Sequence, residues 1–368
     1  MKLRLLLSFL LLFGLLTLIG VSGGCSDSTC TNREGFGALG DCSSGGSGSS
    51  DGGGSTDGGS DGGTGGQGLL YVANAQNNSI LRFDGATTLD ADIAPVAIIQ
   101  GGLTRLSAPQ YLFLDVANDR LYVANAGQSS ILVFDNVSTL QGDVPPVRFL
   151  EGANTTLSGP AAALVDIGRD LLYVSNTGRG GLMTFNSAAT LTADVAPLRT
   201  VEGANPGLQN NTDLFLDSTA DRMFVANTGA GAISVFDSIS TLNGNIFPNR
   251  VLRGANTRLT SPTAVLVDSS DNLLVADSSS LLRFAGASTI DVDVAPTAIL
   301  TGENTGIRQP GQMLLESGNL YLANTGSNEI LVFNSIAGLE GNQFPNRRLR
   351  GTNTGLLGPT GIALDLSR

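Results

Sequence analysis

The chain of 368 residues contains no histidine and no tryptophan, and only 14% of its residues are charged. Histidine is the commonest general base, so its absence excludes Ser-His-Asp and Cys-His catalytic devices and leaves proton transfer to Asp, Glu or Tyr. The net charge of −12 opposes contact with phosphate backbones, so nucleic acid is not an expected partner. The composition therefore excludes histidine-dependent catalysis and disfavours nucleic-acid binding.

Cysteine is also scarce, and all three cysteines lie near the amino terminus. Lys2 and Arg4 precede an uncharged apolar run over residues 5–21, and the small residues 22–24 lead directly to Cys25. This layout is typical of a secretory signal of the bacterial lipoprotein type over residues 1–24, with Cys25 as the lipidated first residue of the mature chain. A plain cleaved signal and an uncleaved membrane anchor are the alternatives.

A lipid on Cys25 would leave Cys30 and Cys42 as an even pair, and the oxidising compartment reached by export favours a disulfide between them over free thiols. Residues 43–68 contain no apolar side chain, so we expect residues 25–68 to form a disordered tether rich in Gly, Ser and Asp. The sequence thus predicts an exported, membrane-anchored lipoprotein in the periplasm or on the cell surface.

From residue 69 onward the chain repeats one unit six times. In each unit, a segment of the Leu-Tyr-Val-Ala-Asn type is followed by a strand ending in Phe, then by a proline, and then by a strand ending in Asp or Glu. The phenylalanines are spaced 48 to 51 residues apart, at Phe83, Phe134, Phe185, Phe236, Phe284 and Phe333. A period near 50 residues built of short strands is typical of β-propeller blades of four strands each.

We therefore expect an all-β fold, a six-bladed β-propeller over residues 69–368. In one unit the strands a to d are predicted at residues 111–115, 121–125, 131–134 and 147–150. Strands a to c are mostly apolar, as in strands covered on both faces, whereas strand d follows a proline and carries Arg in four blades, which favours the outer edge. Because the repeats begin at strand b and end with an extra strand a, the last strand is predicted to pair with the first blade and close the ring.

The repeat resembles the NHL-type propeller repeat. Residues 357–365 (Leu-Gly-Pro-Thr-Gly-Ile-Ala-Leu-Asp) resemble the first strand of that family, and residues 320–326 and 330–333 resemble its second and third strands. Residues 195–205 are similar to repeats of many bacterial exported proteins. The resemblance covers residues 69–368 and implies the fold more specifically than the function.

NHL-like propellers include modules that bind proteins, RNA or glycans, together with a few lyases and lactonases. The lyases and the related streptogramin-opening enzymes rely on histidine, which this chain lacks, and the RNA binders carry a basic face. Some six-bladed lactonases hold a divalent cation with Glu, Asn and Asp, which needs no histidine. The resemblance therefore leaves a metal-dependent hydrolase as the enzymatic alternative, with Ca²⁺ as the cofactor such chemistry could use.

The candidate site residues lie where the repeat breaks its own symmetry. One position near the start of strand a is occupied in turn by Tyr111, Ala162, Asp213, Ala264, Gln312 and Gly361. Asp213 and Gln312 are polar where other blades have small residues. The turn just before Asp213 has Asn211 where the other blades have proline. With Gln110 and Tyr111, these residues are predicted to converge at the channel mouth as a small-ligand or cation site. Drift on a solvated rim is the alternative.

Two symmetric polar columns are better explained by turn chemistry than by ligand binding. One contains the asparagines that end strand b and those of the Gly-x-Asn turns, and the other contains Asp115, Asp166, Asp217, Asp268, Glu316 and Asp365. We therefore expect a monomeric, non-enzymatic binding or scaffold propeller without a cofactor. Its predicted partner is a protein or glycan recognised through the loop-rich face, and its predicted membrane contact is the lipid.

Overall fold

The computed structural model describes residues 68–368. The predicted signal, tether, lipidation site and disulfide lie outside the described residues. Within residues 68–368 the chain forms twenty-four strands and no α-helix. The strands are β1 (Leu69–Asn74), β2 (Ser79–Asp84), β3 (Ala97–Ile99), β4 (Pro109–Asp115), β5 (Arg120–Asn125), β6 (Ser130–Asp135), β7 (Arg148–Leu150), β8 (Pro160–Asp166), β9 (Leu171–Asn176), β10 (Gly181–Asn186), β11 (Arg199–Val201), β12 (Asn211–Asp217), β13 (Arg222–Asn227), β14 (Ala232–Asp237), β15 (Arg250–Leu252), β16 (Pro262–Val267), β17 (Asn272–Asp277), β18 (Ser280–Ala285), β19 (Ala298–Thr301), β20 (Pro310–Glu316), β21 (Asn319–Asn324), β22 (Glu329–Phe333), β23 (Arg347–Leu349) and β24 (Pro359–Asp365).

Single turns of 3₁₀ helix occur in the loops. They span Ala75–Asn77, Val116–Asn118, Ala126–Gln128, Ala153–Thr155, Thr177–Arg179, Thr228–Ala230, Ile239–Thr241, Glu303–Thr305, Thr325–Ser327 and Ile336–Gly338. None of the helices in this part of the chain has the length and apolar character needed to cross a bilayer.

The strands form six antiparallel sheets of four strands each, which confirms the predicted six-bladed β-propeller. Blade 1 has the strand order β24-β1-β2-β3, and blades 2 to 6 each contain four consecutive strands, from β4–β7 to β20–β23. The strand positions are labelled a to d from the channel outward. The a strands of neighbouring blades contact one another around the ring, as predicted. In blade 2 the a strand starts at Pro109, two residues earlier than predicted, and the d strand starts at Arg148.

The ring closes through the last strand of the chain, as the repeat pattern predicts. β24 pairs antiparallel with β1, with Leu69 opposite Asp365 and Val72 opposite Ile362. The backbone N–H of Gly68 also donates to the carbonyl of Arg368 at 2.8 Å. Backbone hydrogen bonds therefore join the two ends of the described chain inside one blade.

The core consists of six apolar clusters, each between two neighbouring blades. The repeated phenylalanines at the end of strand c are at most 1% exposed in every blade. Burial of such a side chain stabilises the fold by about 1.5–3 kcal/mol relative to exposure. The periodic apolar columns thus fill the gaps between blades and make neighbouring blades depend on each other.

Strand d lies at the outer edge of every blade, as predicted, and this edge is partly covered by the neighbouring blade. The segment between strands c and d of each blade approaches the d strand of the preceding blade, as in the parallel bridge between Gly142 and Ile99. Gly142 donates to the carbonyl of Ile98 at 2.7 Å, and Gln100 donates back to the carbonyl of Gly142 at 3.1 Å. Equivalent contacts recur at all six blade junctions, so each blade covers part of its neighbour's edge.

The strand-d arginines contribute to this packing and do not simply project into solvent. Arg148 and Arg250 form ion pairs with Asp135 and Asp237 of strand c. The guanidinium of Arg347 lies 5.7 Å from the ring centre of Tyr321. These arginines therefore have structural partners in or beside their own blade.

Candidate functional site

The inner edge of each a strand faces the channel and carries backbone N–H and C=O groups that need hydrogen-bond partners. The pairing of strands a and b shifts register near the start of strand a in every blade. The position at or directly after this shift is the sequence column with broken symmetry, here called the waist layer: Tyr111, Ala162, Asp213, Ala264, Gln312 and Gly361. Large polar residues alternate with small ones around this ring, so each large side chain can lie over the small residue of the next blade.

Asp213 uses both carboxylate oxygens to bind backbone groups. Oδ1 accepts from the N–H of Leu214 at 2.8 Å, and Oδ2 accepts from the N–H of Val265 in the next blade at 2.9 Å. The side chain is 4% exposed, and burial raises its pKa to about 7 although these two hydrogen bonds favour the charged form. Asp213 therefore provides hydrogen-bond acceptors for inner-edge N–H groups of two blades, and this requires a buried carboxyl group.

Gln312 plays the same part for blades 1 and 2. Its Oε1 accepts from the N–H of Ile362 at 3.0 Å and from that of Leu112 at 3.3 Å, while its Nε2 donates to the carbonyl of Leu112 at 3.0 Å. The side chain thus passes over Gly361 of blade 1 and reaches blade 2. At Gly361 an added Cβ would lie 2.8 Å from Cα of Tyr111, so glycine permits this close approach of blades 1 and 2.

Tyr111 completes the waist layer. Its hydroxyl interacts with the side chain of Gln312, and burial together with the nearby Asp213 raises the pKa of Tyr111 well above its ordinary value. Tyr111 and Gln312 each line cavities on both sides of the layer. The waist layer therefore lies between one cavity on one side and two neighbouring cavities on the other.

The upper cavity, on the side of the loops that precede strand a, has a volume of about 560 Å³. Gln110, Tyr111, Asp213 and Gln312 line it, as predicted from the sequence. Its wall is otherwise formed by small hydroxyl and amide side chains and short backbone turns: Thr212, Ser261, Thr263, Ser278, Gln309, Thr325 and Thr360. Asp213 is the one carboxylate among the described residues that line this cavity.

Asn211 does not lie with the other predicted residues. It is fully buried between blades 3 and 4, where its Nδ2 donates to Oγ of Ser175 and to the carbonyl of Gly181. Asn211 takes the place of the proline found at this position in other blades, so the break in the pattern reflects contacts between blades. The predicted convergence at the mouth is wrong for this residue.

The lower cavity, on the side of the loops between strands a and b, is larger, at about 780 Å³. Its walls are mainly apolar and include Phe113, Phe215, Leu314 and Ala363. Asp166, Arg169 and Glu316 lie at its rim. The sequence did not lead to a prediction of this cavity, although the strand-a residues two places after the waist layer form a second irregular column.

The symmetric asparagine column is structural, as expected from turn chemistry. Asn125 is fully buried; its Oδ1 accepts from the N–H of Ser107 at 2.6 Å, and its Nδ2 donates to the carbonyl of Arg105 at 3.0 Å. The acidic column at the end of strand a caps the following turn, as in the bond from the N–H of Asn118 to Asp115 at 3.2 Å. These columns position the loops and leave the waist layer as the irregular part of the channel.

No group of three or more acidic or cysteine side chains within residues 68–368 is placed to hold a metal ion. In the upper cavity the lone carboxylate, Asp213, already accepts two backbone hydrogen bonds. Divalent calcium takes six to eight oxygen ligands, several of them charged in most protein sites. Asp213 is thus the one carboxylate that the described lining of the upper cavity offers.

No known family model and no curated protein matches the sequence. Solved structures match over about four fifths of the chain. A structure of a nidogen/laminin complex has a TM-score of 0.57 at 14% identity and covers 82% of this chain and 100% of that chain. A protein of unknown function from Bacteroides caccae has a TM-score of 0.55 at 10% identity, covering 81% and 98%. A functionally unknown protein from Desulfotomaculum acetoxidans has a TM-score of 0.51 at 14% identity, covering 80% and 98%. At these identities the likeness concerns the fold, and the chain is a six-bladed β-propeller.

Proposed function

We propose that this chain is a non-enzymatic binding propeller, held at the bacterial cell envelope by a lipid on Cys25, and that it recognises a glycan or protein partner through the upper cavity and its loops. The proposal takes the NHL-like character of the repeat and its lipoprotein signal from the sequence. The structure supports it through the chemistry of the upper cavity.

The observation that carries the proposal is the lining of the upper cavity. Hydroxyl and amide side chains surround it, and both oxygens of its one carboxylate already accept backbone hydrogen bonds. The column directly before the waist layer holds Gln110, Ala161, Thr212, Thr263, Gly311 and Thr360, all of which line the upper cavity. Small hydroxyl and amide groups can exchange hydrogen bonds with a hydroxyl-rich ligand without activating it. This lining favours a neutral glycan over a charged partner.

Catalysis would need a base, a nucleophile or a metal with free coordination positions. Asp213, the one acidic residue in this lining, has both oxygens bonded to backbone N–H groups. A protein partner for such a propeller has a structural precedent, since one of the similar solved structures is a nidogen/laminin complex. Binding is therefore the activity that the described residues support best.

Partner recognition can be tested in living cells with a photo-crosslinking amino acid at Ser278, which lines the upper cavity. The matched control carries the same amino acid at Leu198, 46% exposed on the outer wall. We expect a discrete adduct, with glycan or protein, at position 278 only. Ala161→Arg, which places a bulky cation in the cavity, should abolish the adduct, whereas Leu198→Arg should preserve it.

Adducts at both positions, or at neither, would contradict recognition through the upper cavity. The envelope attachment is tested separately by labelling cells with a radioactive fatty acid and fractionating their membranes. Wild type should carry the label in the membrane fraction, and Cys25→Ser should carry none. Label on the Cys25→Ser variant would overturn the proposed lipidation.

A further inference from the structure

We propose that the lower cavity is a second binding site, for a compact aromatic molecule that is uncharged or cationic. This site lies on the opposite side of the waist layer from the upper cavity and does not depend on the function proposed for that cavity. Its volume of about 780 Å³ falls within the range of about 300–1,000 Å³ that is usual for small-molecule sites.

The aromatic walls of the lower cavity are already held in place by packing. Phe113 packs edge-on against Tyr122 at 6.1 Å between ring centres, and Phe215 lies 6.2 Å from Phe224 at a tilted angle. Both phenylalanines are half-buried and line the cavity. A flat apolar ligand would therefore meet rings whose orientations are fixed before it binds, which lowers the entropic cost of binding.

A break in the repeat provides room for this ligand. The strand-a position two residues after the waist layer is occupied in blades 2 to 6 by Phe113, Leu164, Phe215, Leu266 and Leu314, and in blade 1 by Ala363. Ala363 lines the cavity. Because blade 1 has alanine where the other blades have leucine or phenylalanine, the wall is asymmetric and leaves space beside Ala363. Ligand sites usually show such asymmetry, whereas residues that only support the fold are alike in every blade.

The floor of the lower cavity is the waist layer, so an occupant enters from the lower face and stops at Tyr111 and Gln312. The hydroxyl of Tyr111 can donate a hydrogen bond at this closed end, since a tyrosine keeps its proton at neutral pH. The site thus combines an apolar body with one polar group at its closed end. This shape suits a small molecule better than an extended chain.

The rim determines which charge the occupant can carry. Arg169 forms an ion pair with Asp166 at 2.7 Å and donates to the carbonyl of Ser218 at 2.9 Å, so its charge is already balanced. Glu316 accepts from its neighbour Ser317 and makes no ion pair with any described residue. The rim therefore carries an excess of negative charge, which disfavours anions.

Two fluorescent probes with the same aromatic body test this site: neutral N-phenylnaphthylamine and the anionic anilinonaphthalene sulfonate. Both probes are titrated into the full chain in detergent solution. The fluorescence of probe that dissolves in the detergent rises linearly with probe concentration and is subtracted. We expect saturable binding of one neutral probe per chain and binding of the sulfonate weaker by a factor on the order of ten. Glu316→Gln should narrow this difference.

Ala363→Leu places in blade 1 the residue that blades 3, 5 and 6 carry, and it should abolish the saturable signal. Phe113→Leu introduces the same leucine at the same position of blade 2 and removes an aromatic ring from the wall. It should weaken binding of the neutral probe several-fold, which keeps the test valid if Ala363→Leu fails to fold. Thr263→Val, in the upper cavity, is the matched control and should bind the probe like wild type. Equal binding of both probes, or unchanged binding by folded Ala363→Leu and Phe113→Leu variants, would overturn the proposal.

Discussion

At the scale of single residues, the channel is shaped by how six inner strand edges obtain hydrogen-bond partners. Asp213 and Gln312 each reach into a neighbouring blade and bind backbone N–H groups there. A side chain that leans over the next blade needs a small residue below it, which explains the alternation with Ala264 and Gly361. The large polar residues are thus part of the ring's structure as well as of its cavities.

Asp213 should give the fold a characteristic pH dependence. Because burial raises its pKa to about 7, the folded chain keeps this proton between about pH 4 and pH 7, where the unfolded chain has released it. The stabilisation from this proton is complete below about pH 4, falls progressively as the pH rises toward 7, and is absent above it. In Asp213→Asn the contribution is absent.

Denaturant unfolding of both proteins at several pH values measures the effect. The free energy of unfolding of wild type should fall relative to that of Asp213→Asn, by a total on the order of 4 kcal/mol between pH 4 and pH 8. The other carboxyl groups cancel in this comparison, and the hydrogen bond lost by asparagine adds an offset that does not vary with pH. Parallel profiles for the two proteins would contradict the buried carboxyl group.

Four of the five candidate residues lie at one cavity, and the sequence could bring them together because a break in a symmetric column is visible without a structure. It could not show what these side chains contact, since hydrogen bonds between blades depend on how far each blade is rotated from the next. Asn211 shows this limit. Its polar side chain predicted a place at the mouth, whereas it replaces a proline and binds Ser175 in the preceding blade.

At the scale of elements, the segment between strands c and d does more than connect them. Its bridging residue has a positive φ in every blade: Ala91, Gly142, Ala193, Gly244, Val292 and Gly341. Polar residues and prolines surround this position, and no apolar alternation marks it as a strand. The sequence therefore predicted the outer position of strand d but not the short parallel bridge beside it.

Val292 is the least suitable residue of this column. It has a φ of +56° and is β-branched, and its side chain is 63% exposed, so the strain is not offset by burial. We expect Val292→Gly to stabilise the protein by about 1 kcal/mol, because the relief of strain exceeds the entropic cost of glycine. Thermal unfolding should show a rise in Tm of about 2 °C.

Gly244→Val is the reciprocal control, since Gly244 occupies the same position with a φ of +90°. This variant should lower Tm by at least as much as Val292→Gly raises it. If both substitutions leave Tm unchanged, the left-handed conformation of the bridge is not a source of strain.

At the scale of the whole molecule, the fold was predictable because each blade repeats the same columns. A period near 50 residues gave the number of blades, and the order of strands at the chain ends gave the closure. The two cavities were harder to predict, because they depend on small differences between blades that are otherwise alike. The repeated positions thus determine the ring of blades, and the positions that differ between blades determine the shape of the channel.

Closure by β24 gives the last prediction. Ile362 is fully buried and Ala363 nearly so, in clusters on either side of blade 1, and β24 also pairs with the edge of β1. A full chain that ends at Gly358 would expose both blade interfaces, and burial of one large apolar side chain alone contributes about 2–5 kcal/mol. We expect this truncated chain to lose its cooperative thermal transition and to become sensitive to protease along its whole length.

A synthetic peptide of residues 357–368 should restore protease resistance to the truncated chain, since it supplies the missing a strand. The same peptide with Ile362→Asp should not, because a buried carboxylate would replace the apolar contact between blades 6 and 1. If the truncated chain instead melts at the temperature of the full chain, the remaining five blades and the open sixth are stable alone, and pairing of the chain ends is not what holds the ring together.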